Sequence, residues 1–221
     1  MFTDQAEPKE NVRILVYERT RGGSLNLVGQ RLTHNVMTNT GRSWAVQLFG
    51  SSNYSNYPPT ANVSSKIKYI GFGCGGALQT NANLLNTQLE LPTVVALQDP
   101  VPYTSVGGVD TYLKQVYNQS FNDIFFPGIN RTVFIVDVAE TEISFAGNKA
   151  KGSNYEVGTE VPVSEVGLYL STASPTYQPG APNAQGTADP VSANRLICYD
   201  LFSPIIVTPK TVLRCEWEIR I

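Results

Sequence analysis

Gly71-Phe-Gly-Cys-Gly-Gly76 has the glycine spacing of a dinucleotide-binding loop and follows a strand-like run, Lys66–Ile70. That loop works when its third glycine opens a helix, so that a pyrophosphate rests on the helix N-terminus inside a parallel β-α-β unit. Here Ala77-Leu-Gln-Thr-Asn-Ala-Asn83 is a poor helix start and the surrounding pattern is antiparallel. The run therefore reads as a glycine-rich strand end at a tight turn. No Lys-Ser/Thr pair follows, which excludes a P-loop. His34 is the single histidine, so a histidine-based metal cluster is unavailable. A Ser-His-Asp triad around it would lack the Gly-x-Ser-x-Gly elbow. Beside Asn35, His34 reads as a hydrogen-bonding group at a loop–helix junction.

Carboxylates are the remaining candidates. A glycosidase needs two acids facing each other across a cleft. Asp137, Glu140, Glu142 and Glu165 qualify by type, but their spacing singles out no pair. Glu165 differs in its setting. In Val161-Pro-Val-Ser-Glu-Val-Gly-Leu-Tyr-Leu170, alternation puts Val161, Val163, Glu165, Gly167 and Tyr169 on one face and Ser164, Val166, Leu168 and Leu170 on the other. A carboxylate in so apolar a register must be hydrogen-bonded or paired, because burying it alone is costly. A backbone N–H or an arginine such as Arg195 would serve, which makes Glu165 fold-specifying and not catalytic. Cys74, Cys198 and Cys215 are an odd number at unrelated spacings and read as reduced and mostly buried, with a Cys198–Cys215 bridge between neighbouring strands as the alternative.

The elements that must carry these residues are mostly strands. Thr211-Val-Leu-Arg-Cys-Glu-Trp-Glu-Ile-Arg-Ile221 alternates strictly, with Leu213, Cys215, Trp217, Ile219 and Ile221 on a dry face and Arg214, Glu216, Glu218 and Arg220 on a wet one. Trp217 is the expected core anchor, and the alternation to the last residue reads as a structural strand. Leu196–Phe202 is a second strand, joined to it by Ser203–Lys210 with Pro204 and Pro209. Val12–Glu18 is a strand, Thr20–Ser24 a hairpin loop with two glycines and Leu25–Gly29 the return strand. One helix is expected near residues 39–50, capped by Asn39 or Thr40, with Trp44, Ala45, Leu48 and Phe49 on one face. Asn83–Glu90 reads as a short helical turn, 98–110 as loop, and Thr111–Tyr117, Arg131–Val138, Glu140–Phe145 and Pro162–Leu170 as strands. Short strands, turn residues and one helix predict a mainly-β antiparallel sandwich with long loops.

The 221 residues suit a single β domain over 12–221 with an N-terminal arm, 1–11. The arm is polar and acidic and does not read as a signal peptide. With 42% hydrophobic and 15% charged residues, the chain can build a core, and its surface is rich in Asn, Thr, Ser and Gln. A net charge of −2 lacks the electrostatic footprint of a nucleic-acid binder, and no run of 18 apolar residues suggests a membrane span. No metal, nucleotide or other cofactor is expected. Ser171–Asn194 is a Pro/Ala/Gly/Ser/Thr loop with Tyr177 and Val191 as its main apolar residues, of a length that goes with either a functional role or disorder.

Several segments in their order resemble virion structural proteins of tailed bacteriophages: His34-Asn-Val-Met-Thr-Asn-Thr-Gly41 ahead of the helix, Tyr69-Ile-Gly-Phe-Gly-Cys-Gly75, Asn83–Glu90, Ser164-Glu-Val-Gly-Leu-Tyr169, Arg195–Ile206, and the terminal Leu213–Ile219. The resemblance implies a non-enzymatic, homo-oligomeric β-sandwich on the particle, bound to the head or neck as a decoration, cement or collar subunit. Its partners would be its own copies and other virion proteins, with the 171–194 loop and the arm reaching neighbouring subunits. A tail or baseplate component is the alternative within that setting. A carbohydrate-binding or carbohydrate-cleaving sandwich is the alternative outside it, with Tyr54, Tyr57, Tyr103 and Tyr177 as stacking residues.

Overall fold

The computed structural model describes residues 10–50, 67–80, 83–87, 91–94, 96–97, 100–103, 111–122, 130–143, 160–170 and 196–220. The chain is mainly β, and its two five-stranded sheets are antiparallel throughout. The first sheet contains β1 (Glu10–Arg19), β2 (Leu25–His34), β8 (Tyr117–Asn122), β9 (Asn130–Val138) and β12 (Thr211–Arg220), in the order β2-β1-β12-β9-β8. The second contains β3 (Val36–Met37), β4 (Ile67–Gly73), β7 (Lys114–Gln115), β10 (Val161–Leu170) and β11 (Leu196–Val207), in the order β3-β11-β10-β4-β7. β5 (Ala77–Thr80) and β6 (Asn83–Thr87) form a separate hairpin, and α1 spans Asn39–Gly50.

Alternation in β12 builds the first sheet. Leu213, Cys215 and Trp217 are fully buried. They pair across β1 with Val16, Ile14 and Val12, and across β9 with Val138, Val136 and Phe134. These rows form the inner face and meet Ile70, Phe72, Val166, Leu168 and Cys198 of the second sheet in one apolar core. Trp44 of α1 packs on the edge of that core. β1 begins at Glu10, opposite Ile219, so Glu10 and Asn11 belong to the sheet and not to an arm. The hairpin loop is as expected, with Gly23 at φ 86° donating its N–H to Thr20 O at 2.9 Å.

β10 departs from the one-face reading, because all ten of its residues are buried. Its far side is covered by a second apolar layer in which Leu97 and Leu113 pack with Tyr169, Leu196 and Tyr199. The register to β11 also shifts, since Val163 faces Ile205 while Glu165 faces Leu201. The extra residues of β11 include Pro204, which sits where the ladder is already broken. The bulge changes which side chains share a face. Val161 and Val163 join the main core together with Val166, Leu168 and Leu170, and not the face of Gly167 and Tyr169.

Other expectations are corrected as well. β11 runs through Ser203 and Pro204 to Val207, leaving only a turn at 208–210 before β12. Asn83–Thr87 is a strand paired with Ala77–Thr80, not a helical turn. Ala139–Glu142 is a turn rather than the start of a strand, with Thr141 at φ 62° and Ile143 in an isolated bridge to Tyr103. The 171–194 loop, with Tyr177 and Val191, lies outside the described residues, as do Arg195, Tyr54 and Tyr57.

Candidate functional site

The glycine run performs structural work against β10. Gly71 stands directly opposite Gly167, and a methyl group on either would meet side chains of the second layer: Leu113 Cδ2 at 2.9 Å from Gly71, Leu196 Cδ1 at 2.6 Å and Leu97 Cδ2 at 3.1 Å from Gly167. Gly76 lies on the β10 backbone, where an added Cβ would come within 1.9 Å of Ser164 O. Gly75 N–H donates to Glu165 Oε1 at 3.0 Å. Glu165 is 1% exposed, so this bond offsets part of the cost of its burial. The run ends in a turn and a β-hairpin and opens no helix. The backbone N–H partner expected for Glu165 is present, supplied by Gly75.

The helix start is a second backbone-on-backbone contact. The cap is Thr38, one residue ahead of Asn39 and two ahead of Thr40. Its Oγ1 accepts from Gly41 N at 3.0 Å and donates to Leu196 O at 2.7 Å, and its N–H donates to Ile197 O at 2.9 Å. Gly41 allows that approach, since a Cβ there would lie 2.1 Å from Ile197 O. His34 ends β2 opposite Asn11 and is thus a strand residue, not part of a loop. One residue away on the inner face, the Thr33 hydroxyl donates to buried Asp200 of β11 and ties the two sheets together.

The three acids of the β9 region are each held by a cation. Arg214 grips Asp137 with two bonds, Nε to Oδ1 at 2.6 Å and Nη2 to Oδ2 at 2.9 Å, and the Tyr117 hydroxyl donates to Asp137 Oδ2 at 2.6 Å. These bonds, the Arg214 pair foremost, hold the Asp137 carboxyl below its ordinary range. Burial, followed by the bond to Asp137, pushes the Tyr117 phenol up. Arg19 Nε reaches Glu140 Oε1 at 2.7 Å, and Lys114 pairs with Glu142, which also accepts from Ala139 N at 2.7 Å. A general acid needs a raised pKa, and Asp137 has the reverse.

Asp137 and Glu140 do share a groove on the outer face of the first sheet, of about 590 Å³, lined by Tyr17, Arg19, Leu25, Val212, Ala139 and Arg214 besides. The wet face of β12 hinted at Arg214. Its partners Asp137 and Tyr117, 77 and 97 residues away, carried no local signal. Among the described residues no three His, Cys, Asp or Glu gather as a metal site, and no helix is long and apolar enough to cross a membrane.

The remaining sites fall out simply. Cys74, Cys198 and Cys215 are unbridged and buried, and burial pushes the Cys215 thiol well up. Trp217 is fully buried, as expected of an anchor, but its indole N–H and Ser164 Oγ have no hydrogen-bond partner among the described residues. Tyr103 is not available for stacking on a sugar. It is 1% exposed and its hydroxyl accepts from Phe72 N at 3.2 Å. Exposed apolar groups concentrate on the edge strand β2, with Leu25 at 46%, Leu27 at 50%, Val28 at 54% and Leu32 at 68% exposure.

No protein-family model, no curated protein and no solved structure matches this chain.

Proposed function

We propose that this chain is a non-enzymatic structural subunit of a tailed-bacteriophage virion, a homo-oligomeric decoration, cement or collar protein of the head or neck. The observation that carries the reading is the edge strand β2. Four of its ten residues are exposed aliphatic side chains, and among the described residues no strand pairs with its outer backbone edge. An apolar edge of this kind, interrupted by the bulge at Val28 and by Arg31, is suited to another subunit, either a second copy or another particle protein. The segments that resemble virion proteins support the same role, because their residues serve packing: Thr38 and Gly41 on β11, Gly75 and Gly76 on β10, Trp217 in the core.

The test is immunogold labelling of purified particles, combined with sedimentation of the isolated chain. Label on the head or neck, with an oligomer that Leu27→Asp plus Leu32→Asp disperses without lowering the melting temperature, is the expected result. Label confined to the tail would move the subunit to the tail or baseplate. Particles without label refute the virion role, and a monomer at high concentration refutes association through β2.

A further inference from the structure

The groove on the outer face of the first sheet belongs neither to the core nor to the β2 edge surface as a whole, and it is built in a specific way. Its floor is apolar and follows from register: Tyr17 of β1 lies directly opposite Val212 of β12. Ala139 joins the lining where β9 ends, and Leu25 of β2, opposite Arg19, joins it at the sheet edge. Two arginine–carboxylate pairs complete the lining. One is Arg214–Asp137, themselves opposite one another on β12 and β9 and joined by two bonds at 2.6 and 2.9 Å. The other is Arg19–Glu140 at 2.7 Å, with Arg19 Nη1 also fixed to Gly23 O at 2.7 Å.

Both pairs are intra-chain and complete, so the four charges lining the groove sum to zero. An anion or an amine entering it would have to break a pair, losing charge-assisted bonds that are stronger than neutral ones. A neutral ligand would not, because each carboxylate keeps free lone pairs and each guanidinium has five donors, not all used by its partner. The preferred ligand therefore has an apolar face to lie on Tyr17 and Val212 and neutral hydroxyl groups around its rim. A pyranose ring has that distribution: C–H groups on one face and hydroxyls at the edge able to donate to Asp137 and Glu140 and accept from Arg19 and Arg214. We propose that this groove binds a neutral saccharide, with Tyr17 as the platform and the two ion pairs as fixed hydrogen-bonding rails. This goes beyond a role in particle assembly; the groove shares Leu25 with the exposed β2 surface, but its tested positions, Tyr17 and Ala139, are distinct from Leu27 and Leu32. It also replaces the tyrosines that sequence alone offered for sugar stacking with Tyr17.

The experiment is saturation-transfer-difference and heteronuclear NMR titration of the full chain with three neutral probes: maltotriose, chitotriose and mannotriose. Expected is saturable binding of at least one, weak and in the millimolar-to-micromolar range usual for a small exposed site, with shifts centred on Tyr17, Ala139 and Val212. Ala139→Arg, which fills the groove from an exposed position, should weaken it by about tenfold or more, as should Tyr17→Ser. Arg13→Ala, on the same face outside the groove, should leave it unchanged. Absence of binding by all three overturns the proposal. So does binding that survives Ala139→Arg, or a groove that takes inositol hexakisphosphate or spermine more tightly than any neutral probe. None of these outcomes bears on particle labelling or on association through β2, so the two readings fail separately.

Discussion

Trp217 allows the burial of a large ring and the burial of its polar atom to be weighed separately. The side chain is 0% exposed between Val12 and Phe134, and its Nε1–H has no partner among the described residues. A tryptophan buries roughly 200 Å², which at about 25 cal/mol per Å² corresponds to about 5 kcal/mol. Trp217→Ala should therefore cost about 3–5 kcal/mol, as large-to-small core changes do. Trp217→Phe behaves differently. It keeps most of the ring, loses about 1 kcal/mol of transfer free energy with the atoms removed, and leaves a cavity of about 40 Å³ that costs about 1 kcal/mol more at roughly 24 cal/mol per Å³. It also removes an N–H whose unpaired burial costs about 1–3 kcal/mol. The loss of about 2 kcal/mol and the gain of about 1–3 kcal/mol nearly cancel, so Trp217→Phe should lie within about 1 kcal/mol of the parent in either direction.

The assay is urea unfolding followed by the fluorescence of Trp44, the one tryptophan that remains in both variants, with circular dichroism as the second probe. Midpoints are compared at unchanged slope. If Trp217→Phe is as damaging as Trp217→Ala, the N–H is satisfied in solution and the premise is wrong. If Trp217→Ala costs under about 1 kcal/mol, the residue is not an anchor.

Two further tests address other elements. Gly76→Ala would place a methyl group 1.9 Å from a backbone carbonyl that cannot rotate away; it should cost at least about 2 kcal/mol in chemical denaturation, while Gly22→Ala, whose nearest neighbour is 3.8 Å away, should be close to neutral. Asp137 has a folded pKa below its unfolded value near 4, so its contribution is present above that value and lost as pH falls through the folded pKa. The pair is well exposed to solvent, so Asp137→Asn should lower stability at pH 7 by less than about 1 kcal/mol. The gap to the parent should close below about pH 4, and a gap that widens in acid would contradict the ion-pair geometry.

What the sequence revealed depended on whether one face of a strand or two were buried. β12 has a dry face and a half-exposed face, so its side chains alternate and its fold role is legible from residues 213 to 218 alone. β1 was legible for the same reason and the turn from Gly22 and Gly23, but the return strand runs past the expected Gly29 to His34, and none of its apolar residues is buried to mark a face. β10 is covered on both faces, and the alternation there stops reporting which side is which. The bulge opposite Ser203–Pro204 then shifts the register, and no local signal in Val161–Leu170 marks it. β5 and β6 are short and rich in Asn, Gln and Thr, so neither period is visible. The groove was least legible, since Tyr17, Asp137 and Val212 meet only through the pairings β1–β12 and β12–β9.

The two glycine-bearing motifs explain each other once the second sheet is in view. Thr38-Asn-Thr-Gly41 seats the helix start on the backbone of β11, and Gly75–Gly76 seats the turn after β4 on the backbone of β10. β10 and β11 are neighbours near the middle of that sheet. In both places the element approaches a main chain so closely that a Cβ would fall about 2 Å from a carbonyl oxygen, 2.1 Å at Gly41 and 1.9 Å at Gly76. In both, a side-chain oxygen beside the contact accepts a backbone N–H: Thr38 Oγ1 from Gly41, and Glu165 Oε1 from Gly75. A dinucleotide loop uses glycines for the same physical reason, the close approach of another group to backbone. Here that group is the protein's own strand. The G-x-G-x-x-G spacing is thus satisfied by packing, and the room a pyrophosphate would need at Gly76 is occupied by Ser164.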